Sequence, residues 1–146
     1  MQNGWVLDQY DVKNAFVHAS IDKEIYIELP IGFENKYSSN NNYNSTNTNK
    51  RSKLNNISSN KKVCKLNKAL YGLKQSPRLW YKHLLNTLKE LGFNTLPYDE
   101  AIFIYSRYKI IIICHVDDLI ITGDNKDIIK DIINKLSKSI KIEYIG

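Results

Sequence analysis

The sequence predicts an α+β domain with one antiparallel sheet and two long helices on a single face of that sheet. Several segments alternate apolar and polar residues or are rich in isoleucine, as strands are. Two other segments repeat leucine or isoleucine at helical spacing. The chain has 146 residues and 42% hydrophobic content, which suits one domain with a substantial core. Strands interspersed with amphipathic helices indicate the α+β class.

The first part of the chain predicts two strands and a short helix. Residues 5–12 alternate apolar and polar side chains, which predicts a strand, and residues 15–21 allow a short helix. A second strand is predicted at 25–29, because Pro30 and Gly32 follow it and end it.

Residues 35–62 form a low-complexity segment that separates two parts of the predicted domain, which spans residues 1–146. Eighteen of these residues are Asn, Ser or Thr, and the segment holds five Lys and one Arg without an acid. It cannot bury enough apolar surface to offset its ordering entropy, so we predict a disordered insertion. The insertion accounts for the net charge of +6. It is either a lengthened surface loop or a basic tether for RNA.

The segment after the insertion predicts a short strand and a long helix. Residues 63–66 are strand-like, and Ser76 followed by Pro77 is typical of an N-cap and first helical position. Gly92 stands where the end of a helix favours a left-handed residue. Leucines recur at helical spacing between these signals, at Leu84, Leu85, Leu88 and Leu91.

The last third of the chain predicts a hairpin, a helix and a closing strand. Residues 101–105 and 109–116 are rich in strand formers, and 119–122 follows after only two residues, as in a tight hairpin. Apolar residues at helical spacing then predict an amphipathic helix. These residues are Ile128, Ile129, Ile132, Ile133 and Leu136, and the closing strand is predicted at 140–144.

Two adjacent acids, Asp117 and Asp118, are predicted at the hairpin tip. Unit charges ~4 Å apart repel by ~4 kcal/mol at an effective dielectric of about 20, so two ionised carboxylates favour a bound cation such as Mg²⁺. For the pair alone, an ordinary Asp-containing turn is the simpler explanation. Asp11 ends another predicted strand. If the two strands are neighbours, three carboxylates converge as in sites that hold two Mg²⁺ ions for phosphoryl transfer.

Four runs of sequence carry a family resemblance. They are DVKNAF at 11–16, IYIELPIGFE at 25–34, VCKLNKALYGLKQSPRLWY at 63–81 and HVDDLIITG at 115–123. In this order they resemble the reverse transcriptase of copia-type long-terminal-repeat retrotransposons, an RNA-directed DNA polymerase. The resemblance implies a polymerase palm with a ferredoxin-like sheet, which is part of a right-hand enzyme with fingers and palm.

The resemblance also implies roles for individual residues. Asp11 and Asp117 match the carboxylates that bridge two Mg²⁺ ions, which Mn²⁺ can replace, and Asp118 matches the accessory carboxylate. Phe16 matches the aromatic gate that excludes a ribose 2′-hydroxyl, although a plain core Phe is the alternative. Gln75 matches the glutamine that contacts the incoming nucleotide, although it is otherwise an exposed loop residue.

Further contacts are implied around these residues. Val12 is expected beside the nucleotide. His115 takes the position where the family has tyrosine, and alternation predicts it on the same face as Asp117, so we expect reduced efficiency or fidelity. We expect His115 near the primer end. Lys74 and Arg78 lie in a basic stretch with interleaved aromatic residues, which predicts that they contact template or primer.

The resemblance implies an RNA template, a DNA primer and deoxynucleotides as partners. Family members have fingers before this region and a thumb and ribonuclease H domain after it, so we expect a truncated polymerase that is inactive alone. A non-catalytic nucleic-acid-binding fragment and an inactive transposon relic are the alternatives. The sequence lacks an apolar run of ~18 to 20 residues and a signal peptide, which predicts an intracellular protein. The resemblance implies a location in cytoplasmic virus-like particles if the element is active.

Overall fold

The computed structural model describes residues 4–33 and 63–146. These residues belong to two compact units, one reaching to Asp22 and resuming at Asn67, the other spanning Lys23–Leu66. The predicted insertion at 35–62 lies outside the described residues, so its disorder stays a prediction.

The described residues form eight strands and three α-helices. In chain order these are β1 (Val6–Val12), α1 (Ala15–His18), β2 (Tyr26–Glu28), β3 (Val63–Lys65), α2 (Ser76–Glu90), β4 (Asn94–Leu96), β5 (Asp99–Tyr105), β6 (Ile110–His115), β7 (Asp118–Gly123), α3 (Lys126–Leu136) and β8 (Ile142–Tyr144). The α+β class predicted from the sequence is therefore confirmed, with the short helix α1 and the two long helices α2 and α3.

The larger unit contains a six-stranded sheet in the order β4-β5-β6-β7-β1-β8. Every pair of neighbouring strands is antiparallel, as predicted. β1 lies between β7 and β8, although both of these strands come from the far end of the chain. This pairing brings the first predicted acid beside the acidic hairpin.

One face of this sheet forms the core together with the helices. Alternation directs every second side chain to that face, and α2 and α3 contribute their apolar stripes to the same buried cluster. The fully buried residues of the strands include Phe103, Ile110, Ile112, Leu119 and Ile121. The opposite face has half-buried or exposed residues at the alternate positions, including Ile111, Ile113 and Ile120. We call these the covered face and the open face.

The long helix α2 lies close to its predicted position, but its first residue differs from the prediction. Gln75 occupies the N-cap, and Ser76 is the first helical residue, so the prediction of Ser76 as the cap is wrong. The Ser76 side chain is buried and its hydroxyl donates to the Leu70 carbonyl, so it cannot cap the helix. Gly92 has a φ of +94°, which confirms the left-handed helix end.

The smaller unit is built on one antiparallel pair. β2 pairs with β3, with Tyr26 opposite Lys65 and Glu28 opposite Val63. An ion pair between Lys65 and Glu24 and a hydrogen bond from the Tyr26 hydroxyl to Glu24 stabilise the pair. Both strands were predicted at these positions.

Two further properties concern membranes and thiols. Among the helices of the described residues, none is long and apolar enough to cross a membrane. Cys64 and Cys114 are both free thiols.

Candidate active site

Four titratable side chains form a row across four strands on the open face. Asp11 of β1 is the direct partner of Asp118 on β7 and of Glu143 on β8. Asp118 is in turn the partner of His115 on β6. Directly opposed residues of an antiparallel sheet point to the same face and lie close together. We call Glu143, Asp11, Asp118 and His115 the acidic row.

The hairpin next to the acidic row turns at Val116 and Asp117. The prediction of Asp117 and Asp118 as the tip is wrong, because Asp118 is already paired with His115 as the first residue of β7. His115 therefore lies opposite Asp118, and the expectation that alternation places it with Asp117 is also wrong. Asp117 is a turn residue, so it follows neither strand face.

The turn has a strained backbone that is held from two sides. Val116 has a φ of +57°, a left-handed conformation that is unfavourable for a β-branched residue. Its carbonyl accepts a hydrogen bond from the indole of buried Trp80 at 2.6 Å. The Asp117 carbonyl accepts from the Val12 amide at 2.7 Å. The turn is thereby fixed to both α2 and β1, which positions Asp117 beside the end of β1.

The Asp117 carboxylate has an aromatic partner. Its Oδ2 accepts a hydrogen bond from the Tyr71 hydroxyl at 3.1 Å. The Tyr71 ring packs against the Phe16 ring with centroids 4.2 Å apart. Burial and the hydrogen bond to Asp117 both raise the pKa of Tyr71, so the phenol stays protonated and remains a donor at neutral pH.

A lysine bridges two members of the acidic row. The Lys13 ammonium lies 2.8 Å from Asp11 Oδ2 and 2.9 Å from Glu143 Oε2. Its hydrogen bonds to Asp11 and then to Glu143 raise the pKa of Lys13, so it carries a full positive charge. The Lys13 ammonium therefore occupies a position beside Asp11, the carboxylate predicted to bind metal.

The carboxylates of Asp11, Asp117 and Asp118 are suitable ligands for a hard divalent cation, but they do not converge on one point. Within residues 4–33 and 63–146, no three His, Cys, Asp or Glu side chains are close enough to hold a metal ion. Asp11 and Asp118 nevertheless share one face on neighbouring strands, and Asp117 is tied by its backbone to the residue after Asp11. Carboxylate oxygens are the ligands that Mg²⁺ prefers. These three residues could hold such an ion if their side chains turned toward each other.

The other predicted site residues lie in different environments. Val12 is 1% exposed and Phe16 is 5% exposed, so both belong to the core, and the Val12 amide is already engaged with Asp117. Gln75 is half-buried at the N-cap of α2, where its side chain makes no capping hydrogen bond. Lys74 and Arg78 are exposed. Their predicted contacts with nucleotide, template or primer stay predictions.

A small cavity lies behind the turn at Val116 and Asp117, on the helix side. It has a volume of about 280 Å³ and is lined by Trp80, Cys114 and Val116 among others. Burial, followed by the charges of Asp117 and Asp118, raises the pKa of Cys114 to about 11. The Cys114 thiol therefore stays protonated at neutral pH.

Three residues of the site were not predicted. Lys13 stands two positions after Asp11, so strand alternation alone could have placed it on the same side. Tyr71 lies within the run at 63–81, whose interleaved basic and aromatic residues predict contacts with nucleic acid and give no sign of a contact with Asp117. Glu143 carried no usable signal, because its position depends on which strand pairs with β1.

The chain resembles proteins of one class in a comparison with known families. The family model described as reverse transcriptase (RNA-dependent DNA polymerase) matches residues 48–146. The Retrovirus-related Pol polyprotein from transposon RE1 of Arabidopsis thaliana is 33% identical over 98% of this chain and 8% of its own length. The corresponding polyprotein from transposon TNT 1-94 of Nicotiana tabacum is 34% identical over 96% of this chain and 9% of its own. No solved structure matches.

The chain is an α+β protein with an antiparallel sheet that carries acidic residues on neighbouring strands. The chain belongs to the reverse transcriptase (RNA-dependent DNA polymerase) family, in its copia-type branch. The putative transposon Ty5-1 protein of Saccharomyces cerevisiae is a shorter relative, 30% identical over 93% of this chain and 38% of its own length. The chain spans less than a tenth of the two plant polyproteins. The family resemblance expected from the four sequence runs is thereby confirmed.

Proposed function

We propose that this chain carries the catalytic palm of an RNA-directed DNA polymerase, with Asp11, Asp117 and Asp118 as its catalytic acids. The observation that carries the proposal is the pairing of Asp11 with Asp118 beside the turn that holds Asp117. The succession β1, α2, β6, β7, α3, β8 supports it, since this is the βαββαβ order of ferredoxin-like folds.

The acids would act by binding two divalent cations and orienting them toward the substrate. When bound, Mg²⁺ lowers the pKa of an attacking hydroxyl and stabilises the leaving phosphate. Asp11 and Asp118 are positioned by two central strands, and Asp117 by a turn fixed to α2 and β1. Rigid placement of this kind is what phosphoryl transfer requires of a protein, because the catalysis is mostly positioning and electrostatic stabilisation.

Primer extension tests this function. The purified chain and its Asp117→Asn, Asp118→Asn double variant would be incubated with poly(rA)/oligo(dT), dTTP and Mg²⁺, and Mn²⁺ binding would be followed in parallel by electron paramagnetic resonance. Extension by the natural chain and not by the variant supports the proposal. Extension by both proteins would show that these acids are not catalytic.

The outcome without extension is also informative. Mn²⁺ binding by the natural chain that the double variant lacks would leave the acids as a metal site whose catalysis depends on other parts of a polyprotein. Absence of both extension and Mn²⁺ binding would overturn the proposed function.

Nucleic-acid binding without catalysis is a second candidate. Lys68, Lys74, Arg78 and Lys82 are all exposed along one segment. Such a basic surface binds phosphates in a salt-dependent manner, because bound counterions are released. The logarithm of the binding constant falls linearly with the logarithm of the salt concentration. Single-stranded RNA binding that weakens with salt and survives the Asp117→Asn, Asp118→Asn change would support this candidate.

A further inference from the structure

The residue of the 63–81 run that touches the acids is Tyr71. Its hydroxyl lies 3.1 Å from Asp117 Oδ2 and its ring lies against Phe16. Tyr71 is 58% exposed, whereas Phe16 is 5% exposed, so the tyrosine covers the phenylalanine and faces the site. Gln75, the expected nucleotide contact, occupies the N-cap of α2.

We propose that Tyr71 is a positioning residue for the metal-binding carboxylate of Asp117. The inference rests on the proposed function, since it assumes that Asp117 binds a divalent cation. Asp117 lies in a turn, where no strand partner fixes its side chain. Its backbone is held through the carbonyl by Val12, and its carboxylate is held by Tyr71. The two contacts together define where the oxygens point.

The aromatic contact with Phe16 gives the phenol its own support. A tyrosine on an exposed segment would otherwise sample several rotamers, at a cost in entropy each time it met the carboxylate. Tilted aromatic rings in contact attract each other, so the Phe16 ring favours the rotamer in which Tyr71 meets Asp117. The buried Phe16 ring thus holds the Tyr71 ring in place, and the Tyr71 hydroxyl in turn holds the Asp117 carboxylate. Partners of this type behind metal ligands are important for metal affinity.

The substitution Tyr71→Phe tests the role of the hydroxyl. It removes one oxygen and keeps the ring on Phe16. We expect the affinity of the full chain for Mn²⁺ to fall about tenfold, the lower end of what loss of such a partner costs. Mn²⁺ binding would be measured by electron paramagnetic resonance, and the thermal unfolding midpoint of each variant would be compared so that a loss of folding is not mistaken for loss of positioning.

Tyr81→Phe is the matched control. The Tyr81 hydroxyl also donates one hydrogen bond, at 3.1 Å to the Glu100 carbonyl, but it does not touch the acids. Its removal should leave Mn²⁺ affinity unchanged. A further variant, Phe16→Leu, removes the supporting ring and should lower the affinity by a smaller factor than Tyr71→Phe.

Each outcome decides the inference. A selective loss in Tyr71→Phe supports it. Unchanged or tighter Mn²⁺ binding in that variant, or an equal loss in Tyr81→Phe, would overturn it while leaving the proposed metal site intact. If the natural chain binds no Mn²⁺, the role of Tyr71 is overturned, and the proposed function is overturned as well only if primer extension is also absent.

Discussion

The two faces of the six-stranded sheet differ in what their side chains do, although the same strands supply both. On the covered face, Leu119 and Ile121 are fully buried against the helices. On the open face, their neighbours Asp118 and Ile120 are only half-buried. Since alternation links the two faces residue by residue, a strand of six residues carries both stability and a candidate site.

Electrostatic repulsion is concentrated on the open face, while the covered face is apolar. The acidic row places like charges on neighbouring strands, an arrangement that destabilises a sheet. The covered face compensates with well-packed aliphatic side chains, and Lys13 offsets part of the repulsion. Functional sites commonly break local rules of this kind and depend on the rest of the fold for stability.

The largest expected effect separates the two faces at adjacent isoleucines of β6. Ile112 is fully buried on the covered face and Ile113 is 38% exposed on the open face. Ile112→Ala should lower the free energy of unfolding by about 2–5 kcal/mol, because it leaves a cavity. Ile113→Ala should cost less than about 1.5 kcal/mol. Urea unfolding of both variants checks this, and equal losses would contradict the assignment of the faces.

A smaller effect is expected from the Cys114 thiol, which has a pKa of about 11 in the folded chain and 9.0 as its ordinary value. Between these pH values the unfolded chain has lost a proton that the folded chain keeps. The free energy of unfolding should therefore fall by roughly 1–2 kcal/mol as the pH rises from 9 to 11. Urea unfolding across this range is the measurement.

The variant Cys114→Ala isolates the thiol from other groups that titrate at high pH. Its unfolding free energy should fall less than that of the natural chain over the same range. Parallel curves for the two proteins would show that burial behind the Val116–Asp117 turn does not hold the thiol protonated.

The smallest effect concerns the cation within the acidic row. Lys13→Met removes the ammonium that bridges Asp11 and Glu143, so Mn²⁺ should bind about threefold more tightly, the scale of one exposed ion pair. Titration followed by electron paramagnetic resonance would measure the change. Lys141→Met removes the same charge from an exposed position close by and is the control. Equal changes in both variants would rule out direct competition by Lys13.

Much of the fold could be predicted because the periodic signals are strong. The helix at 76–90 and the strands around it follow from leucine spacing, Gly92 and isoleucine-rich runs. The short strand β4 was missed, since its three residues carry no period. The predicted helix at 15–21 ends at His18, because Ser20 instead forms a bridge with Lys68.

The hairpin register could not be predicted for a physical reason. Residues 110–113 are four consecutive isoleucines, so they do not reveal which positions face the core. The tip could therefore be placed one residue too late without violating any pattern. The position of Val116 in the turn could not be predicted either, since a β-branched residue is not expected in a left-handed conformation.

The sequence indicates the acids of the candidate site but not the contacts that support them, and the metal-binding role of the acids stays a prediction. Asp11, Asp117 and Asp118 were recognisable from their runs of sequence. The roles of Lys13, Tyr71 and Glu143 depend on partners that only tertiary structure supplies. Residue types alone do not identify such partners, because each has many possible neighbours until the strand order is known.

The position of β1 has a consequence for the time course of folding. Its two partners, β7 and β8, lie more than a hundred positions downstream, whereas β5, β6 and β7 form a local meander. Contacts of such long sequence separation close slowly, because loop entropy is lost before the pairing is gained. During synthesis the edges of β1 therefore stay unpaired until β7 and β8 have left the ribosome, so the acidic row assembles only after the local meander can form.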